Sequence, residues 1–162
     1  MIDDIDRKIL SILQDDARIS NAAIARWLEM APSAILERIR KLETRGLIAG
    51  YEARLNPKPL DAGLLAFVFV RADERIGSDD AGRKLAEMPE VQEVHHVAGE
   101  DCYLVKVRIA DTEALGELLR QRFSAIESIR STRTTIVLAT IKETAQIPLP
   151  SSPEKEDLPD AG

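Results

Sequence analysis

The chain has 162 residues, of which 44% are hydrophobic and 31% are charged, and its formal net charge at pH 7 is −6. This composition is typical of a globular protein with one ordinary domain or two small ones, and it argues against global disorder. The single cysteine, Cys102, excludes a disulfide within the chain, and the longest apolar run, Leu64–Val70, is too short to cross a bilayer, so we expect a cytoplasmic protein without a membrane partner.

The negative charge is unevenly distributed along the sequence. Residues 1–62 carry ten Lys/Arg and ten Asp/Glu side chains and are neutral, so the whole excess of acid lies beyond them. Within this neutral part, residues 31–58 hold six basic and three acidic side chains. A modest basic patch therefore persists in an acidic protein, and the net charge does not exclude binding to nucleic acid.

Apolar residues at helical spacing predict two helices at the start of the chain. The first helix runs from about Asp3 to Gln14 and begins with acidic residues, which favour the positive end of a helix. A short second helix follows, capped by Ser20 or Asn21. Its predicted inward-facing residues are Ile24, Trp27 and Leu28.

A third helix and a hairpin complete the N-terminal part. Pro32 suits the first position of a helix and Gly46 suits its end. Residues 47–55 predict two short strands around a glycine turn. Three short helices followed by a hairpin are typical of a winged helix-turn-helix, whose outward-facing basic helix enters the major groove of DNA. A small helical bundle with a solvated charged surface is the alternative interpretation.

The remaining residues predict strands and helices in the order β-α-β-β-α-β. The strands cover residues 64–71, 91–97, 103–109 and 129–141, while Ser78 or Asp79 caps the first helix and Thr112 caps the second. This order is typical of a ferredoxin-like α+β domain, whose helices cover one face of the sheet. Apolar residues on the other face would need a partner, which predicts a dimer formed sheet to sheet.

Three further features have a simple structural interpretation. Residues 146–162 hold four of the eight prolines and four acidic residues, which predicts a disordered tail. His95 and His96 are adjacent on a strand and face opposite sides, so one chain cannot build a metal site from them. We expect Cys102 to be a small buried hydrophobic residue. We therefore predict neither a metal nor a cofactor.

Six stretches of the chain, taken together with their order and spacing, form a specific pattern. They are Asp3–Leu10, Asp16–Asn21, Leu36–Glu43, Gly46–Tyr51, Leu55–Pro57 and Thr132–Thr134. This pattern resembles the leucine-responsive/asparagine regulator (Lrp/AsnC) family, and the resemblance covers about Ile2 to Lys142.

The resemblance implies a sequence-specific DNA-binding transcription regulator whose second domain forms dimers and senses a small molecule, usually an amino acid. It divides the chain into a winged helix-turn-helix domain over residues 1–60, a ferredoxin-like domain over residues 61–145 and a tail over residues 146–162. Family members commonly assemble dimers into octamers. We therefore expect double-stranded DNA, an effector and further copies of the chain as partners.

On this pattern the helix-turn-helix covers about residues 21–40, and the recognition helix covers residues 32–45. We expect Ser33, Arg38 and Lys41 to face DNA. Arg40 and Arg45 are expected at phosphates, which position a protein on DNA without specifying sequence.

In the family the effector binds in a cleft at the dimer interface, lined by the turn between strands two and three and by the last strand. An amino acid needs an acceptor for its ammonium group and donors for its carboxylate. The resemblance implies these candidate residues: Gly99, Glu100, Asp101, Cys102, Tyr103, Thr132 and Thr134. Cys102 stands where family members often have Asp, and Asp101 lies one residue earlier.

Two other functions remain open at this point. Siroheme decarboxylases resemble the family across both domains, although the third strand here lacks their aromatic cluster and the chain has only one Trp, two Tyr and three Phe. An effector-sensing module that does not bind DNA is the second alternative. The intact pattern of the third helix favours the regulator, which is not an enzyme.

Overall fold

The structure is a computed structural model that describes residues 2–75 and 77–149. The described residues form two compact units. We call residues 2–53 together with 144–149 the N-terminal unit, and residues 54–143 the sheet unit. The first division therefore lies near residue 53 rather than near residue 60. No helix in the described ranges is long and apolar enough to cross a membrane.

The N-terminal unit contains the three predicted helices. Helix α1 covers Asp4–Asp15 and begins at Asp3, whose carboxylate accepts a hydrogen bond from the backbone N–H of Asp6 at 2.8 Å. Helix α2 covers Asn21–Trp27 and begins at Ser20, whose hydroxyl accepts from the N–H of Ala23 at 3.1 Å. Helix α3 covers Pro32–Thr44, with the proline in its first turn as predicted.

The three helices enclose a small apolar core. Its buried residues are Ile9, Leu10, Ile24, Ala25, Ile35, Ile39 and Leu42. The prediction that Trp27 points inward is wrong, because its side chain is 67% exposed. Ile24 and Ala25 form the buried face of α2, and at 100° per residue Trp27 is rotated by roughly 110° from the centre of that face.

The predicted wing is absent from the structure. Residues 47–55 form no strand, and Tyr51 and Leu55 are exposed. Gly46 ends α3 with a positive φ of 70°, and the Tyr51 hydroxyl donates a hydrogen bond to Glu43 at 2.9 Å. The prediction of a hairpin was wrong because two strands of so few residues are not stable by themselves, and Ile48 is the one residue of this segment that packs against the core.

The sheet unit has the predicted ferredoxin-like order. Its elements are β1 (Leu64–Ala72), α4 (Asp80–Ala86), β2 (Val91–His96), β3 (Tyr103–Ile109), α5 (Thr112–Leu118), continued by a π-helical turn (Leu119–Phe123), and β4 (Ile129–Ile136), with a short 3-10 turn (Lys58–Leu60) before β1. The strands lie in the order β2-β3-β1-β4, and every neighbouring pair is antiparallel.

Three differences from the prediction go beyond a shift of one residue at a strand end. Asp111 rather than Thr112 caps α5, since its carboxylate accepts from the N–H of Ala114 at 2.8 Å. Strand β4 ends at Ile136 rather than at residue 141, because β1 begins at Leu64, which this register sets opposite residue 138, so residues 139–141 have no partner in β1. The tail prediction is wrong for residues 146–149, which pack on the N-terminal unit, and residues 150–162 lie outside the described ranges.

The two faces of the sheet differ in character. The face covered by α4 and α5 carries the core residues Ala66, Val68, Val70, Tyr103, Val105 and Val107. We call the opposite side the open face, and its central residues are Phe67, Phe69, Leu104, Lys106 and Arg108. The open face is therefore partly charged rather than uniformly apolar. The dimer formed through it stays a prediction.

Gly82 provides a test of the packing between α4 and the sheet. A Cβ atom at Gly82 would lie 2.7 Å from Cε1 of the fully buried Tyr103 ring. We expect Gly82→Ala to lower the free energy of unfolding by about 1–3 kcal/mol, because a buried aromatic ring cannot move aside. Urea unfolding followed by circular dichroism measures this change.

Gly116→Ala is the matched control, since Gly116 is also helical. There a Cβ would meet only the far end of the Arg120 side chain, at 2.9 Å from a guanidinium nitrogen. We expect this variant to be neutral or stabilised by about 0.5–1 kcal/mol, the usual gain from replacing glycine in a helix. Equal effects in the two variants would contradict the packing argument.

Candidate functional sites

The outer face of α3 is exposed and polar. Because residues advance by 100° along a helix, the side chains opposite the buried Ile35, Ile39 and Leu42 form one stripe. Its members are Ser33, Glu37, Arg40, Lys41 and Thr44, all exposed. Arg45, just past the end of the helix, is exposed as well. Four of the five predicted DNA-contacting residues therefore lie on the surface of α3.

Lys41 is paired with an acidic neighbour on the same stripe. Its Nζ lies 2.7 Å from Oε1 of Glu37, one helical turn away, and the two side chains are 67% and 68% exposed. The hydrogen bond from Lys41 lowers the pKa of the Glu37 carboxyl. An exposed pair of this kind is weak, so the ammonium group can exchange Glu37 for a phosphate at little cost.

Arg38, the fifth predicted residue, does not point outward. One nitrogen of its guanidinium group lies 2.7 Å from Asp3 and 2.7 Å from Asp6 at the start of α1. The expectation that Arg38 faces DNA is corrected by this contact. The helical spacing contained the signal, because Arg38 follows Ile35 by three residues and precedes Leu42 by four, which places it beside the core.

We call the contact of Arg38 with Asp3 and Asp6 the Arg38 clamp, and it shifts the pKa values of the groups that form it. The backbone N–H of Asp6 and the guanidinium of Arg38, in that order, lower the pKa of the Asp3 carboxyl. The carboxylates of Asp3 and Asp6, with Asp3 contributing more, raise the pKa of the Arg38 guanidinium. Asp6 is the one charged residue of the described ranges that is buried, and Arg38 is its counter-ion. Arg38 therefore holds α3 against the first turn of α1.

A second group of polar residues lies at one end of the open face. Gly99 forms the turn before β3 with a φ of 126°, which favours glycine. Asp101 in the same turn accepts a hydrogen bond from Arg133 of β4 at 3.1 Å. The Arg133 guanidinium stacks over the Phe69 ring, 4.0 Å from its centre. Arg133 was not among the residues predicted from the sequence.

Strand alternation separates the predicted effector residues into two groups. Thr132 and Thr134 pair with Val70 and Val68, so their side chains point to the helix-covered side, away from Arg133. The hydroxyls of these threonines therefore do not lie beside Asp101 on the open face. The same alternation could have identified Arg133, which stands between the two threonines in the sequence.

Tyr103 and Cys102 are engaged within the sheet unit. The Tyr103 hydroxyl donates a hydrogen bond to Glu74 at 2.7 Å, and burial, followed by this carboxylate, raises the pKa of the phenol to about 12. The Cys102 thiol donates to the Ala72 carbonyl at 3.2 Å and is half-buried. Glu100 is exposed in the turn. Of the predicted set, Gly99, Glu100 and Asp101 remain near the open face.

A shallow recess lies where the pairing of β1 with β4 ends. Its volume is about 450 Å³, and its lining residues are Arg71, Ala72, Asp73, Arg130 and Ser131. Arg130 is paired with Asp73 at 3.2 Å. Ser131 lies two residues before Arg133 on the same side of β4, so the recess continues the surface that carries the Arg133–Asp101 pair.

The adjacent histidines face opposite sides of β2. His95 lies opposite Leu104 on the open face and contacts Glu93 at 3.1 Å, while the His96 ring lies 5.2 Å from the Tyr103 ring. Within the described ranges, no group of three or more His, Cys, Asp or Glu side chains could hold a metal ion.

Both units match known protein families. The family model of the AsnC-type helix-turn-helix domain matches residues 2–43, and that of the Lrp/AsnC ligand binding domain matches residues 65–147. The leucine-responsive regulatory protein of Escherichia coli (strain K12) is 37% identical over 150 residues, which cover 90% of each chain.

Solved structures give the same result. The feast or famine regulatory protein from M. tuberculosis, complexed with L-methionine, is 37% identical with a TM-score of 0.83, and the match covers 91% of this chain and 99% of that one. A transcriptional regulator from Neisseria meningitidis in complex with L-Met is 28% identical with a TM-score of 0.83, and the match covers 91% and 97%. Escherichia coli AsnC is 29% identical with a TM-score of 0.83, over 90% and 98%.

The Arg38 clamp predicts a loss of stability on substitution. Arg38→Ala leaves the buried Asp6 without its counter-ion, so we expect the free energy of unfolding of the N-terminal unit to fall by about 1.5–3 kcal/mol. Hydrogen exchange of the peptides that hold α1, α2 and α3, followed at increasing urea, reports on this unit.

Lys41→Ala is the matched control and should leave stability unchanged, because its pair with Glu37 is exposed.

The lowered pKa of Asp3 adds stability that is full above the ordinary aspartate pKa of about 4 and is lost as the pH falls through the lowered value. The Arg38→Ala variant should lose less stability over this acid range. An Arg38→Ala protein as stable as the wild type would contradict the clamp.

Proposed function

The chain belongs to the Lrp/AsnC family and is a DNA-binding transcription regulator, and on this premise we propose which residues bind DNA and which bind the effector. The observation that carries the proposal is the exposed face of α3, which presents cationic side chains within a helix-turn-helix unit. Double-stranded DNA is the partner that this arrangement fits.

We assign Ser33, Arg40, Lys41 and Arg45 to the DNA interface. Ser33 lies in the first turn of α3, where recognition helices of this class contact base edges. Lys41 and Arg40 lie further along the exposed stripe, and Arg45 lies at its end, where long cationic side chains reach phosphates. Arg38 is left out because its guanidinium is held by α1.

The acidity of the chain makes these few cations important. With a net charge of −6, long-range electrostatics repel DNA, so affinity depends on close contacts made by α3. Each phosphate contact releases counter-ions and makes binding weaker at higher salt. The proposed interface therefore makes binding steeply salt-dependent in spite of the negative net charge.

We propose that the effector is an amino acid bound at the Asp101 end of the open face. Support comes from the two related regulators whose structures contain L-methionine. An amino acid carries an ammonium and a carboxylate group, which match the charges of Asp101 and Arg133, respectively, while Phe69 offers an apolar surface. Gly99 and Glu100 complete the turn that borders this site.

The mechanism we propose is a shift between arrangements of the assembled protein. A ligand that prefers one arrangement of dimers shifts the population toward it and changes DNA occupancy by its differential affinity. The open face, with Phe67, Phe69 and Leu104, is the proposed surface for the dimer, and octamers are the proposed higher assembly. The family match favours this regulatory function over catalysis, and a cytoplasmic location stays a prediction.

The DNA interface predicts a change in salt dependence. We expect Arg40→Ala and Lys41→Ala each to weaken binding to DNA from the chain's own upstream region and to reduce the slope of log affinity against log salt by about 1. Fluorescence anisotropy at several salt concentrations measures both quantities. The control is Arg83→Ala, because Arg83 is an exposed cation of the sheet unit paired with Asp79.

Equal slopes in the wild type and both α3 variants would contradict the assignment of α3. A wild-type slope near zero would instead support the alternative of a sensing module that does not bind DNA. Arg83→Ala should bind DNA as the wild type does.

The effector site predicts ligand-dependent stabilisation. A screen of the twenty amino acids by thermal melting should yield at least one that stabilises the protein, and a ligand at 100 times its dissociation constant adds about 2.7 kcal/mol. Arg133→Gln and Asp101→Asn should lose this stabilisation, because each removes one charge that the ligand needs. The control Lys84→Gln, at an exposed position of α4, should keep it.

A stabilised wild type with equally stabilised Arg133→Gln and Asp101→Asn variants would place the effector elsewhere. No stabilisation by any amino acid would contradict the proposed class of effector.

A further inference from the structure

The segment after β4 belongs to both units in turn. The chain leaves the sheet at Ile136, and residues up to 143 belong to the sheet unit. Residues 144–149 belong to the N-terminal unit, whose other residues lie at the opposite end of the sequence. The chain therefore connects its two units twice, once near residue 53 and once between Glu143 and Thr144.

Glu143 fastens this segment to the sheet unit. Its carboxylate accepts a hydrogen bond from Lys106 at 2.6 Å and another from Arg108 at 2.9 Å, and both cations belong to the open face. The side chains of Lys106 and Arg108 are only 13% and 16% exposed, so solvent screens these ion pairs less than it screens surface pairs. Arg54 donates a third hydrogen bond, to the Glu143 carbonyl at 2.6 Å.

The next residues fasten the segment to the last turn of α1. The Gln14 side chain accepts from the N–H of Ile147 at 2.6 Å and donates to the carbonyl of Ile147 at 3.1 Å. Gln146 donates to the Gln14 carbonyl at 3.1 Å and to the Asp15 carboxylate at 3.0 Å. The last carbonyls of a helix have no partner within it, so Gln146 acts as a cap supplied from a distant part of the sequence.

Leu149 adds an apolar contact to these hydrogen bonds. It is half-buried and packs against the core of the N-terminal unit, to which Ile9, Leu10 and the rest of the buried cluster belong. The core of the N-terminal unit is therefore covered in part by a residue that follows the sheet unit in the chain.

Only two residues, Thr144 and Ala145, separate Glu143 from Gln146. The three Cα–Cα steps between these residues span at most about 10 Å when fully extended, so the connection holds little slack. A change that frees the Glu143 carboxylate from Lys106 and Arg108 consequently leaves the segment held at this end only by the contact of Arg54 with the Glu143 carbonyl.

We propose that residues 143–149, which we call the strap, couple the open face of the sheet unit to the end of α1. With Glu143 held by Lys106 and Arg108, the strap caps α1 and supports the unit that carries α3. When the Glu143 carboxylate is freed from these two cations, the hold on the strap is weakened and the last turn of α1 becomes less stable. The strap does not depend on the proposed function.

Hydrogen exchange measured by mass spectrometry on the full-length protein tests this coupling. Glu143→Ala should increase deuterium uptake several-fold in the peptide that holds the last turn of α1, although Glu143 makes no described contact with that helix. The control is Glu127→Ala, at an exposed position of the sheet unit, which should leave that uptake unchanged. Wild-type uptake in the Glu143→Ala variant would overturn the proposal.

Further variants test the contacts of the strap with α1, and they provide the test if Glu143→Ala does not fold. Gln146→Ala should raise uptake in the last turn of α1 and leave α4 and α5 unchanged. Deletion of residues 144–162 should do the same, whereas deletion of residues 150–162 alone should not. Equal uptake after both deletions would show that residues 144–149 do not support α1.

The same variants separate this proposal from the proposed function. The exchange measurements need neither DNA nor effector, so a wild type that fails to bind either would contradict the regulator while leaving the strap intact. Where DNA binding is observed, Glu143→Ala should weaken it while Glu127→Ala should not. Faster exchange in α1 with unchanged DNA affinity would restrict the strap to a structural role and overturn its coupling to DNA binding.

Discussion

The pairing of β1 with β3 and β4 is the constraint on which most of the sheet unit depends. β1 lies between the other two strands, and its alternate residues Ala66, Val68 and Val70 are buried against α4 and α5. This burial sets the register of both neighbours, because a shift of one residue would turn every side chain to the other side. It therefore decides that Arg133 lies over Phe69 and that Thr132 and Thr134 point away from it.

In the N-terminal unit the helical period decides which side chains face the core and which face outward. Ile35, Ile39 and Leu42 face the core, so the opposite stripe of α3 is exposed to solvent while Arg38 is turned toward α1. Arg38 thus serves as the counter-ion of the buried Asp6. The cations left at the surface are few, which makes each one matter in a protein with a net charge of −6.

The strap contacts residues of the sheet unit at Glu143 and residues of the N-terminal unit at Gln146. Lys106 and Arg108 would be costly on a half-buried face without counter-ions, and Glu143 pairs with both, sharing Lys106 with Glu93 of β2, from the segment that goes on to cap α1. The charge of the open face is thus neutralised in part by the segment that supports the DNA-binding unit. A regulator whose effector and partner surfaces lie on that face would gain a direct route to α1.

The sequence by itself determined the three helices, the βαββαβ order, the family and the basic stripe of α3, because these features depend on local periodicity and on spacing along the chain. Tertiary structure alone decided which distant residues meet: Arg38 with Asp3 and Asp6, and Arg133 with Asp101. Composition predicted disorder for Gln146 and Ile147, yet both are held by Gln14, which lies more than 130 residues earlier. Local patterns carry no information about such a contact, since its partners meet only once the chain has folded.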